Sequence, residues 1–185
     1  MKNSWSLLFF LFISLACTRQ KPSNTEIVTK YYKAKDALNF EAIKQYIGDS
    51  LTITEGDYVM PYDRDGFYEV FKWDSIFQPT YEVIEMEEHD NKVVALVSST
   101  SIRFEFLKNN PLICKHNIFL NDGKIYRIEN LDCSNADWKL WEKERDSLVK
   151  WISTNHPELD GFIYDMTMNG SLNYLKSIDL YTARK

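Results

Sequence analysis

The sequence predicts an α+β protein in which helices precede an antiparallel sheet. Apolar residues recur every three or four positions up to about residue 77, and every second position from Thr80 to Leu131. Four predicted strands then follow one another with short turns, which favours an antiparallel meander over a wound α/β sheet. A second helical stretch follows the strands, so we expect a C-terminal helical extension.

The N-terminal half predicts helices and one short strand. Ser23 and Glu26 have the spacing of a capping box, and the helix that they open has an apolar face that reaches Leu38. The other predicted elements of this half are a helical stretch over 40–47 that stops at Gly48, a β-prone run over 51–54 and a helix over 64–77.

Turn residues separate the four predicted strands of the second half. Asp122 and Gly123 give the strongest hairpin signal, because Asp-Gly suits a two-residue turn. The strands are predicted over 81–88, 92–107, 112–120 and 124–131, followed by a helix that ends near Thr154, a turn at Asn169-Gly170 and a last helix over 171–181. The tail, Leu159–Lys185, is too apolar to be an unpacked segment, so we expect it to pack on the sheet or on the first helix.

The first twenty residues predict export and anchoring. The apolar run from Leu7 to Leu15 is too short to span a membrane but fits a secretory signal. The run ends in Ser14-Leu15-Ala16-Cys17, which resembles the lipobox of bacterial lipoproteins, with Ser14 where that family usually has Leu. We therefore expect 1–16 to be a signal peptide cleaved after Ala16, and 17–25 to be an acylated Cys17 and a linker. The expected location is the cell envelope, anchored to a bacterial lipid bilayer and facing the periplasm or the surface; the alternative is a secreted protein with a free Cys17.

Two other cysteines, Cys114 and Cys133, lie in and just after predicted strands. Outside the cytoplasm they could form a disulfide. Two buried free thiols are the alternative, and spacing does not decide between them.

The order of elements resembles that of the nuclear transport factor 2-like superfamily, which includes SnoaL-like and ketosteroid-isomerase-like proteins. The similar pieces are Asp36–Ile43 and the hairpin Asp122–Ile125, and the resemblance covers 26–132. It implies a curved sheet wrapped around a long helix as a cone with an apolar pocket. Isomerases, dehydratases, cyclases and pure binding proteins all use this pocket, and a homodimer is frequent among such proteins. The extension, 133–185, resembles from Trp138 onward the C-terminal parts of uncharacterised lipoproteins of the Bacteroidetes kind.

An enzyme of this fold would need an acid/base group inside an apolar cone. His116 shares a predicted strand face with Cys114 and Ile118, which makes it a candidate base; a histidine there is more often structural. Asp57 and Asp63 are further candidates. Neither aligns with the catalytic positions of the isomerase branch, so no role is carried over.

Six residues are candidates for the lining of the pocket: Tyr58, Tyr62, Trp73, Arg103, His116 and Arg127. The aromatic residues among them compete with a plain core role. The spacing Arg103-x-Glu105 and Arg127-x-Glu129 instead favours cross-strand ion pairs on a covered or solvated edge.

Composition limits the function classes further. The net charge is −5 without a cluster of Lys or Arg, which argues against a nucleic acid partner. His89, His116 and His156 have no zinc spacing, so we expect no metal or cofactor. Three hypotheses follow: an anchored protein that binds a small apolar ligand or docks an envelope protein; a structural or interaction module whose cone is filled by its own side chains; and an isomerase, dehydratase or cyclase with a pocket Asp or His as base.

Overall fold

A computed structural model describes residues 21–184 of the chain. The predicted signal peptide, its cleavage at Ala16 and the acylation of Cys17 lie outside these residues. None of the helices described is both long and apolar enough to cross a membrane. The helices are α1 (Asn24–Asp36), α2 (Phe40–Ile43), α3 (Arg64–Ser75), α4 (Ile102–Phe106), α5 (Trp138–Asn155) and α6 (Met168–Ala183). The strands are β1 (Ile47–Glu55), β2 (Tyr58–Asp63), β3 (Thr80–His89), β4 (Lys92–Thr100), β5 (Leu112–Asn121) and β6 (Lys124–Cys133).

The six strands form one sheet in the order β2-β1-β6-β5-β4-β3. The predicted meander is confirmed as β3 to β6, and β1 joins it parallel to β6. The capping box is also confirmed, since the Ser23 hydroxyl accepts from the Glu26 amide and the Glu26 side chain accepts from the Ser23 amide. The strand β2 was not predicted; it forms a hairpin with β1 through Gly56, whose φ of 55° suits glycine.

Two predicted elements end too late. The second helix stops at Ile43, and Ile47 already belongs to β1, where it pairs with Ile125 and is buried. The predicted strand over 92–107 ends at Thr100, because the Ser101 hydroxyl accepts from the Phe104 amide at 3.0 Å and thereby caps α4. Residues 102–106 are therefore helical and cannot form the predicted cross-strand pair.

Register shifts bend the sheet around its core. They occur between β3 and β4, between β1 and β6, and twice between β5 and β6, and such bulges increase strand twist and bending. The helices α1, α2 and α3 fill the concave side, which gives the cone-like α+β arrangement that the sequence predicts. The largest fully buried side chains of this core include Tyr31, Ile43, Ile47, Leu51, Ile118 and Ile125.

The C-terminal extension forms a second core with the end of α3. Phe77, just beyond α3, is fully buried against Tyr174 of α6, and Leu148 and Ile152 of α5 complete the cluster. The expectation that the tail packs on the sheet or on α1 is therefore wrong. Every helix and strand described lies downstream of Thr18, so a chain that begins there retains all of them.

Gly170 is in the first turn of α6, where the sequence predicted a turn before the helix. The Thr167 hydroxyl caps this turn by accepting from the Gly170 amide at 3.3 Å. A Cβ at Gly170 would lie 2.0 Å from the carbonyl oxygen of Asp165, which itself accepts from the Trp73 indole N–H. We expect Gly170→Ala to lower the free energy of unfolding by about 2 kcal/mol in urea titrations. The exposed neighbour Asn169→Ala is the control, and equal stability of the two variants would contradict the packing described here.

Candidate functional site

A cavity of about 110 Å³ lies inside the cone, between α1, α3 and the sheet. Its wall is largely apolar, with polar groups from Lys35, Asp74, His116 and Asn130. The apolar and aromatic lining residues are Tyr31, Tyr32, Ile53, Phe67, Val70, Phe71 and Ile128. Within residues 21–184, no three His, Cys, Asp or Glu side chains lie close enough together to hold a metal ion.

His116 enters the cavity as a neutral ring with a defined tautomer. Burial, and then the charge of Lys35, lowers the pKa of His116 to about 4. Burial also raises the pKa of Tyr32 well above its usual value, so this phenol stays protonated and donates. It lies 2.5 Å from His116 Nδ1, which must accept the hydrogen bond. The ring proton is therefore on Nε2, and at neutral pH His116 has one N–H to offer and a weakly basic, occupied Nδ1.

A second polar group joins α1, α3 and β3. The Tyr81 hydroxyl donates to Asp74 Oδ2 at 2.8 Å, and Lys35 Nζ lies 4.1 Å from the centroid of the Tyr81 ring. Burial lowers the pKa of Lys35, whereas the charge of Asp74 acts in the opposite direction. Lys35 and Asp74 thus add a cation and an anion to the cavity wall, besides His116 and Asn130.

A cleft of about 1020 Å³ adjoins the cavity and shares Lys35, His116 and Asn130 with it. The cleft runs along β5 and β6 towards α4 and α5. Its wall combines cations, acids and aromatic rings, including Arg103, Arg127, Glu55, Glu129, Asp132, Phe104, Trp138 and Trp141.

A bulge in β6 shapes this wall. Cys114 pairs with Cys133 and His116 with Asn130, so β6 has one more residue than β5 between these pairs. This bulge places Cys133 opposite Cys114. The other register shift of β6, at Tyr126, places Asn130 rather than Glu129 opposite His116. The two cysteines form a disulfide, which decides the alternative that spacing left open.

Three of the predicted pocket residues line the cleft: His116, Arg103 and Arg127. Arg127 binds Glu129 at 2.5 Å along its own strand, so the predicted cross-strand pairing is wrong. Arg103 reaches the cleft from α4 and not from the strand on which it was predicted.

The three predicted aromatic residues lie elsewhere. Tyr58 is 76 % exposed on β2, and Tyr62 packs its ring 6.2 Å from that of Phe67. Trp73 is buried in the second core, where its indole N–H donates to the Asp165 carbonyl at 3.1 Å. None of the three lines the cavity or the cleft; they belong to the edge strand and to the two cores.

The two aspartates proposed as bases also lie outside the cavity and the cleft. Asp57 is exposed in the turn between β1 and β2. Asp63 is exposed at the start of α3, where its Oδ1 accepts from the Gly66 amide at 2.7 Å. A carboxylate that caps a helix in solvent is a structural group, so neither aspartate is positioned as a base.

Sequence reasoning missed Lys35, Asp74 and Asn130. Asp74 was visible as an acid on the apolar face of α3, three residues after Phe71. Lys35 likewise follows Tyr31 by four residues on the buried face of α1. Asn130 carried no such signal, since only the register shift at Tyr126 turns it, rather than Glu129, towards the cavity.

The depressed pKa of His116 predicts a pH dependence of stability. Its value of about 4 in the folded chain is below the unfolded value of 6.5, so the unfolded state binds more protons between these pH values. The stabilisation is present above about pH 6.5 and is lost as the pH falls to about 4, with an amplitude of about 3 kcal/mol. Urea unfolding across this range should show a smaller loss for His116→Gln than for wild type. The exposed His89→Gln should match wild type, and identical slopes for all three proteins would contradict the burial of His116.

Comparisons with known proteins identify the fold. No protein-family model and no curated protein matches the chain. Solved structures match: a polyketide cyclase candidate from Sinorhizobium meliloti is 14% identical with a TM-score of 0.51, over 60% of this chain and 100% of that one. A ketosteroid isomerase candidate from Kribbella flavida is 10% identical with a TM-score of 0.50, over 62% of this chain and 79% of that one. An NTF2-like protein of unknown function from Cytophaga hutchinsonii is 14% identical with a TM-score of 0.50, over 61% of this chain and 92% of that one. The chain therefore has the nuclear transport factor 2-like cone fold, extended at its C-terminus by helices.

Proposed function

We propose that this protein is a lipid-anchored, extracytoplasmic binding protein that holds a small amphipathic molecule in the cone and the adjoining cleft. The observation that carries the proposal is the largely apolar cavity with four polar groups in its wall, continued by a cleft of about 1020 Å³. The cavity alone is smaller than the usual range of ligand sites, roughly 300–1000 Å³, whereas the cleft reaches its upper end. A ligand would place its polar part towards His116 and Arg103, and its apolar part against the cavity wall and the aromatic rings of the cleft.

Two observations favour binding over acid/base catalysis. The aspartates proposed as bases lie in solvent, and the Nδ1 of His116 accepts from Tyr32. The open cleft also favours a binding protein over a module with a self-filled cone. The lipobox-like sequence at Cys17 supports the membrane anchor, and the Cys114–Cys133 disulfide is typical of oxidising compartments outside the cytoplasm.

Thermal unfolding of a chain that begins at Thr18 tests ligand binding. We expect one class among lipids, steroids, sugars and small acids to raise the unfolding midpoint by roughly 5–10 °C at about 100 times its Kd. Val70→Phe, which fills the cavity from α3, should abolish the shift, and Glu69→Phe on the exposed side of the same helix should keep it. No shift with any class, or an equal shift with Val70→Phe, would contradict the proposal.

The anchor is tested separately on the full chain. Wild type expressed in a bacterium should sediment with membranes and incorporate labelled palmitate. Cys17→Ser should do neither. If wild type incorporates no palmitate, the proposed lipidation is wrong, and the proposed ligand binding is unaffected.

A further inference from the structure

Arg103 has an unusual environment at the boundary between the cleft and the second core. Its guanidinium carbon lies 4.8 Å from the ring centroid of Trp73, 5.5 Å from that of Phe77 and 5.3 Å from that of Phe104. The ring of Trp141 on α5 is 6.0 Å away. Within residues 21–184, no carboxylate oxygen lies within 4.0 Å of this guanidinium.

One nitrogen of the guanidinium group also lacks a hydrogen-bond acceptor. Its Nε is buried and has no hydrogen-bond partner among the described residues. Aromatic faces attract a cation but accept N–H bonds poorly, so the surrounding rings satisfy its charge only in part. Arg127, in the same wall, differs because Glu129 already neutralises it at 2.5 Å.

The guanidinium group of Arg103 is suited to bind one class of ligand group. A planar guanidinium binds a carboxylate or sulfonate through two parallel N–H bonds, and does so most strongly where water is partly excluded. The rings of Phe104 and Trp141 lie beside the guanidinium in the cleft wall, 5.7 Å apart, and offer a surface for an apolar group.

We infer that Arg103 anchors the acidic group of an amphipathic organic anion whose apolar part lies on Phe104 and Trp141. This inference rests on the proposed ligand-binding function and names the class of ligand. It assigns Arg103 a binding role in addition to its packing against the aromatic rings.

The test uses two fluorophores with one skeleton, anilinonaphthalene sulfonate and the uncharged phenylnaphthylamine. Both are titrated into a chain that begins at Thr18, because the apolar run of the first residues would itself bind such probes. We expect Arg103→Met to weaken binding of the sulfonate by about tenfold or more and to change binding of the neutral probe by less than about twofold. Arg145→Met removes the same charge from an arginine of α5 that does not line the cleft, and should change neither affinity.

The outcomes separate this inference from the proposed function. If wild type binds neither probe, the proposed ligand site fails. If both probes bind and Arg103→Met leaves the sulfonate affinity unchanged, the anion anchor is wrong and the ligand site stands. If circular dichroism shows that Arg103→Met does not fold, Arg103→Lys replaces it, because lysine keeps the charge but lacks the planar guanidinium. Weaker binding of the sulfonate with unchanged binding of the neutral probe then supports the anchor. Wild-type affinity for the sulfonate overturns it.

Discussion

Replacing Phe77 by Ala is expected to lower the free energy of unfolding by about 4 kcal/mol. Phe77 has no exposed surface, and its ring packs edge-on against Trp73 at 5.0 Å and Tyr174 at 5.4 Å. Because these partners belong to α3 and α6, the truncation leaves a cavity where the cone domain meets the C-terminal extension. Urea unfolding followed by circular dichroism measures the loss.

The control for Phe77→Ala is Tyr58→Ala, which truncates an aromatic ring that is 76 % exposed and should cost less than about 0.5 kcal/mol. Tryptophan fluorescence should report a single transition for both variants, since Trp73 and Trp151 belong to the shared second core. A separate early transition for Phe77→Ala would show that the extension unfolds independently, against the packing described above.

Removing the disulfide should have the second largest effect. Cys114 and Cys133 are 19 residues apart, and a covalent loop of this length stabilises a fold by about 3 kcal/mol, mainly by restricting the unfolded chain. The double variant Cys114→Ala/Cys133→Ala should therefore unfold at lower urea concentration. Wild type in reductant should show the same loss, while reductant should not affect the variant. Two reactive thiols in denatured, unreduced wild type would contradict the bond.

Local signals in the sequence predicted much of the fold. The capping box at Ser23 and Glu26 and the turn at Asp122-Gly123 depend on residues close in sequence, and the structure confirms both. The alternation of β5 correctly placed His116 on the buried face with Cys114. Such features need no knowledge of the rest of the molecule.

The parts that were missed depend on tertiary contacts. The strand β2 has exposed tyrosine and valine side chains at Tyr58 and Val59, so its hydrophobic pattern gave little sign of a sheet edge. The one-turn helix α4 interrupts an apolar run that fits a strand equally well, and it changes the position of Arg103. The register shift at Tyr126 reverses which residues of β6 face the cavity, and no alternation pattern contains that information.

The most direct test of the binding site is a chemical-shift map. Phenylnaphthylamine added to the nitrogen-15-labelled chain that begins at Thr18 should shift the amides of Lys35, His116 and Asn130 and the indole of Trp141, which line the cavity and cleft. The amides of His89 and Asp90, at the exposed turn between β3 and β4, should not move. Shifts confined to that turn or to the outer face of α6, or no shifts at saturating probe, would contradict a ligand site in the cone.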